Sequence, residues 1–75
     1  MNRTKRWLRC EVSPGMFSDE RTVQIDGRSF FVDQQVVRNV DEKGLGEVEV
    51  MIVEEADQRW VVMPTNTRES FPIGA

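Results

Sequence analysis

The sequence predicts an all-β domain: a small five- to six-stranded antiparallel barrel or half-open barrel, with at most one short helical turn near residues 33-40. Three observations predict it. Apolar residues alternate with polar ones far more often than they recur at helical spacing. The pair Asp26-Gly27 stands between two alternating runs, and other turn residues punctuate the chain at intervals of roughly 8 to 12 residues.

Taken in order, Trp7 to Val12 places Leu8, Cys10 and Val12 on one face and Trp7, Arg9 and Glu11 on the other, which is a first strand. Ser13-Pro14-Gly15 breaks it, because proline fixes φ and glycine supplies positive φ, and Met16 to Glu20 continues as loop. Thr22 to Asp26 turns Val23 and Ile25 inward, and Ser29 to Val32 supplies a second β-rich run. Asp-Gly between such runs is a strong hairpin signal, since a tight primed turn needs positive φ at its centre. Asp33 suits the cap of a single helical turn carrying Val36, Val37 and Val40, although that valine content also suits a short strand.

Gly44-Leu45-Gly46 reads as a flexible turn that releases the chain into Glu47 to Glu55, where Val48, Val50 and Ile52 alternate with Glu47, Glu49 and Met51. Ala56-Asp57-Gln58 makes a turn, and Arg59 to Met63 returns as an antiparallel partner until Pro64 ends the ladder. Phe71-Pro72-Ile73 suits a short closing edge strand, where a missing N–H is tolerated. Curling so few strands pairs most of their edges around a core that Val, Ile, Leu and Phe can fill. The architecture expected is similar to SH3-like or OB-like barrels, a likeness that carries no function by itself.

The chain has 75 residues, and a compact chain of its 8.7 kDa exposes about 4,700 Å², enough to bury one thin core. Residues 1–5 are expected to form a flexible basic arm, and residues 6–75 a single small domain without internal repeats or linkers. The lone Cys10 closes no internal disulfide, which favours a reducing, cytoplasmic home. No apolar run approaches the length needed to cross a bilayer, and no apolar stretch follows the basic start, so a chain beginning at Met1 or Asn2 without a signal peptide or membrane contact is expected.

The charge is uneven. Net charge is −3, yet Arg3, Lys5, Arg6 and Arg9 stand in the first ten residues with no acid among them, and all thirteen acids follow. A nucleic acid backbone would be attracted by the start and repelled by the rest. The chain contains no His, so Ser–His–Asp and Cys–His systems are excluded and one Cys cannot assemble a zinc ligand set. Cys10, on the apolar face of its strand, reads as a core residue. No catalytic residue, metal or cofactor is expected, and the chain reads as a non-enzyme.

Carboxylate pairs remain, of which Glu47 and Glu49 share a strand face as a hard cation or a basic partner would need. Their simpler reading is the solvated side of a half-buried strand. Gly44-Leu45-Gly46 lacks the third glycine and the following helix of a phosphate loop, and Asn2-Arg3-Thr4 matches a glycosylation acceptor at a terminus without an export signal.

Two features carry binding readings. The first is an aromatic and methionine patch on strands whose second face should be wet: Trp7, Trp60 and Met51, with Glu47, Glu49 and Glu54 available to steer a basic partner. It predicts a protein-interaction module docking an unidentified protein through a sheet edge, or a structural homodimer through the same edge. The second is the start of the chain, where Arg3, Lys5, Arg6 and Arg9 with Trp7 combine phosphate-neutralising charge with a stacking platform, as weak single-stranded RNA or DNA binding would use. Large side chains that merely plug the mouths of a barrel would account for the same aromatics.

Overall fold

A computed structural model of the chain describes residues 2–73. Seven strands form one antiparallel sheet: β1 (Asn2–Pro14), β2 (Glu20–Ile25), β3 (Arg28–Asp33), β4 (Val37–Arg38), β5 (Leu45–Glu55), β6 (Gln58–Val62) and β7 (Ser70–Pro72), with a single 3-10 turn at Gln34–Val36. The spatial order is β3-β2-β1-β5-β6-β7, and β4 pairs with β5 beside that path. The sheet curls into a half-barrel, the architecture that the alternation predicts.

The hairpins follow from local chemistry. Ile25 pairs with Arg28 across Asp26-Gly27, whose φ values of 52° and 76° are the two positive angles a primed turn needs. Glu55 pairs with Gln58 across Ala56-Asp57, where Ala56 takes φ 54° without the glycine that usually relieves it. Asp33 caps the 3-10 turn as its position suggests, its carboxylate accepting from the Gln35 N–H at 2.8 Å. The valine-rich stretch behind it splits between both expectations, Val36 ending the turn and Val37 opening β4.

Period two then decides what is buried. Cys10, Val23, Phe30, Val32, Val48, Val50, Ile52, Val61, Met63 and Phe71 form the core, while Phe31 and Trp60, next in sequence to buried neighbours, face outward. The outermost strands meet through side chains: the Phe30 ring of β3 stacks on Phe71 of β7 with centroids 5.9 Å apart, and the Arg28 guanidinium lies 4.8 Å over the Phe71 ring. Among the described residues no ladder joins β3 to β7, so this aromatic seam closes the half-barrel.

Three expectations change. The first strand begins at Asn2 rather than Trp7, and residues 2–5, expected as an arm, pair opposite Glu54 to Met51. No apolar alternation announces this segment, because residues 2–5 are all polar and join the sheet only through the ladder with β5. Gly44-Leu45-Gly46 is not a flexible turn: the Asp41 carboxylate accepts from the N–H groups of Lys43 and Leu45 at 2.9 Å each, and Leu45 and Gly46 already belong to β5. A Cβ on Gly46 would stand 2.9 Å from Val40 Cγ2 and 3.0 Å from the Arg38 carbonyl oxygen. Finally, the accessible surface is 5507 Å², roughly a sixth above that of a compact chain of this mass. The molecule measures 39 × 23 × 19 Å, and the first half of β1 forms a long two-stranded ribbon with β5.

Candidate functional site

That ribbon collects most of the residues with binding potential. Along one uninterrupted register Arg9 lies opposite Glu47, Trp7 opposite Glu49, Lys5 opposite Met51 and Arg3 opposite Val53, and β6 continues the row with Val62 opposite Met51 and Trp60 opposite Val53. Opposed residues in a ladder share a face. Trp7, Trp60, Met51, Glu47 and Glu49 therefore stand on one surface, the outer face, together with Arg3, Lys5 and Arg9. Arg6 does not: it lies opposite the buried Val50 and projects from the other face, where it is exposed at the margin of the core. The basic residues thus flank the strand instead of forming one stripe.

The two tryptophans do not form one patch. Their register positions on β5 are four residues apart, about 13 Å along the strand, with β5 itself between them. Trp60 is 37% exposed beside Val53, whereas Trp7 is partly covered by the Arg38 guanidinium, 3.9 Å from its ring centroid. The same guanidinium donates from Nε to Glu47 Oε1 at 3.1 Å, and Asn39 Nδ2 donates to that oxygen at 3.0 Å. These two hydrogen bonds, with the positive charges of Arg38 and Arg9, hold the Glu47 carboxyl below its ordinary value of 4.5. Glu47 is engaged by its own chain, and of the acidic pair proposed for a cation or a basic partner only Glu49 stands without such bonds. Glu54 pairs loosely with Arg59 at 3.8 Å across the solvent-exposed end.

Strand pairing leaves two openings on the ribbon. On one side of β5, β4 covers Glu47 and Val48 and β6 covers Met51 to Glu55, so Glu49 and Val50 have no strand beside them. A cleft of about 500 Å³ opens there, with Met51, Val62 and Pro64 for an apolar wall and Lys5, Glu49 and Arg68 at its charged margin. The second opening is the far edge of β1. β2 reaches only Glu11 to Pro14, so among the described residues no strand pairs with positions 4–9 on that side.

The ladder identifies which backbone groups face this edge. Val12 donates to the Gly44 carbonyl at 2.6 Å, in phase with the Cys10–Gly46 and Leu8–Val48 pairs, so the even residues of β1 exchange hydrogen bonds with β5. The odd residues Lys5, Trp7 and Arg9 then aim their N–H and C=O groups outward. Among the described residues the far side of β3, Arg28–Asp33, is likewise without a ladder partner, but it carries none of the clustered basic residues that flank the β1 edge.

Other exposed apolar groups lie away from the ribbon. Met16 and Phe17, 76% and 67% exposed, crown a loop fastened by Gly15 N to the Glu20 carbonyl at 3.1 Å, Met16 N to Glu20 Oε1 at 2.8 Å and Arg21 Nη1 to the Ser18 carbonyl at 2.9 Å. Sequence reasoning passed over this tip; its signal was two large apolar neighbours inside a Pro-Gly loop, out of phase with any strand. Cys10 is buried, and burial, reinforced by the charge of Glu47, raises its thiol above the ordinary 9.0, the condition of an inert core residue. Among the described residues no cluster of His, Cys, Asp and Glu is placed to hold a metal, and no helix is long and apolar enough to cross a membrane.

Compared with models of protein families, with curated proteins and with solved structures, the chain matches none. Its function has to be argued from the ribbon itself.

Proposed function

We propose that the chain is a non-catalytic, cytoplasmic protein-interaction module that docks a partner through the free edge of β1 and the adjoining outer face. The observation that carries this reading is the row of unpaired backbone groups at Lys5, Trp7 and Arg9 beside the partly exposed Met51, Val62 and Trp60. Main-chain bonds along such an edge give affinity, and side chains on the neighbouring face give selectivity. Weak binding of single-stranded nucleic acid fits less well. One face of Trp7 is already stacked by Arg38, and Glu47 and Glu49 lie where phosphates would approach the outer-face cations.

Affinity capture with a C-terminal tag tests the reading, comparing wild type with Trp60→Ala in nuclease-treated and untreated lysate. Trp60 is exposed on the outer face of β6, so the variant keeps its cooperative unfolding transition and loses proteins that wild type retains after nuclease. Retention of the same proteins by both would remove the outer face from the reading, and material lost only on nuclease treatment would assign the ribbon to nucleic acid.

A further inference from the structure

The free edge of β1 combines two properties that together specify an occupant. It offers three outward N–H groups and three outward C=O groups at alternate residues, the pattern an antiparallel strand satisfies. Around them Lys5 and Arg9 project from one face and Arg6 from the other, with no acid between Arg3 and Arg9. We propose that this edge takes an acidic, extended peptide segment of a partner as an additional strand. The proposal rests on the interaction-module reading and names the chemistry of its partner.

Charge complementarity decides among occupants. A second copy pairing antiparallel through the same edge brings Arg6 onto Arg6, Lys5 onto Lys5 or Lys5 onto Arg9, depending on register, and like charges directly opposed are destabilising. Basic side chains on an edge are a recognised guard against self-pairing. They do not guard against acids. The other edge of β1 shows what this strand accepts: β5 lays Glu47 opposite Arg9 and Glu49 opposite Trp7 in a strand that alternates acid and valine. An incoming segment with acids opposite Lys5, Arg6 and Arg9 would repeat that arrangement on the open side. Among the described residues neither Lys5 nor Arg6 forms an ion pair, so both charges are available to it.

Pairing would also select atoms by parity. Lys5, Trp7 and Arg9 would gain hydrogen bonds, while Thr4, Arg6 and Leu8 already spend theirs on β5. A purely electrostatic association with the basic side chains has no such signature.

The experiment titrates the full chain with the capped peptide Thr-Glu-Val-Glu-Glu-Glu-Val-Thr, with the same peptide carrying Lys for Glu, and with oligothymidylate, following backbone amides by NMR and hydrogen exchange. Expected are protection of the Lys5, Trp7 and Arg9 amides by the acidic peptide, no change at Thr4, Arg6 and Leu8, and no response to the lysine peptide. Lys5→Gln keeps the outward N–H and Lys5→Pro removes it. The proline variant should bind weaker than the glutamine variant by about tenfold, with the β5 amides of both still protected. Shifts confined to Met51, Val62 and Trp60 would overturn strand addition and leave the interaction reading standing. Equal response to the lysine peptide, or none to the acidic one, would overturn the acidic occupant, and the capture comparison would then decide the broader reading separately. Protection by oligothymidylate alone would overturn both.

Discussion

The two ends of this molecule use the same strand differently. At its C-terminal half β1 is paired on both sides, by β2 and by β5, and contributes Cys10 to a core in which Val23, Val48 and Val61 are fully buried. Over residues 2–9 it is paired on one side only, gives the core no buried residue beyond the partly covered Leu8 and carries four positive charges. One half spends its side chains on burial and the other leaves both its side chains and its backbone accessible. Within the ribbon the burden is uneven too: β5 buries Val50 and Ile52, while Arg6 and Thr4, opposite them on β1, stay outside the core.

That contrast is broken most severely at the seam. Phe71→Ala removes a buried ring that touches both Phe30 and Arg28, and a loss of about 3–5 kcal/mol is expected, close to the whole stability of so small a domain. Chemical denaturation followed by circular dichroism measures it, and a loss as small as that of a ribbon variant would erase the distinction between the two ends. Next comes Gly46→Ala, at the border between them. Its Cβ meets Val40 and the Arg38 carbonyl at 3.0 Å or less, so β4 must shift from β5, at a cost of about 1–3 kcal/mol. Because Arg38 opens the cluster on Trp7, the variant should also increase Trp7 exposure, read as a red shift of its fluorescence.

Arg38→Ala sharpens the comparison without touching the core. It removes the guanidinium from Trp7 and from Glu47, costing about 0.5–1 kcal/mol for an exposed stacking contact. It also moves the Glu47 carboxyl up toward its ordinary 4.5, which a carboxyl-carbon NMR titration reads directly. Because the folded carboxyl is held low, this tie is present above pH 4.5 and is lost as pH falls through its folded value. The stability difference between wild type and Arg38→Ala should therefore narrow in acid, and a difference that widens would reverse the assignment. Smallest is Ala56→Gly at the ribbon tip. Relief of a φ of 54° is offset by the extra freedom of glycine in the unfolded chain, leaving a gain of about 0.5 kcal/mol at most by thermal unfolding.

What was legible in the sequence follows the same division. The Asp26-Gly27 turn, the Asp33 cap and the alternation of Val48, Val50 and Ile52 are local signals, each written within a few residues, and each appears where the chemistry puts it. The start of β1 was not legible, because residues 2–6 extend through pairing with β5, some fifty positions away, and carry no apolar phase of their own. For the same reason the Arg38–Trp7 stack and the collision that forbids a side chain at Gly46 are visible only once β4 and β5 are together. Period two, applied to the basic residues, would have parted Arg6 from Lys5 and Arg9; reading the segment as an arm concealed it.

The central claim is that β1 has one open edge, and native-state hydrogen exchange of residues 4–9 tests it without any partner. Thr4, Arg6 and Leu8 should be protected by β5, and Lys5, Trp7 and Arg9 should exchange rapidly, an alternation that persists on dilution. Uniform protection across the six amides would mean that the edge is covered in solution, and would contradict the account.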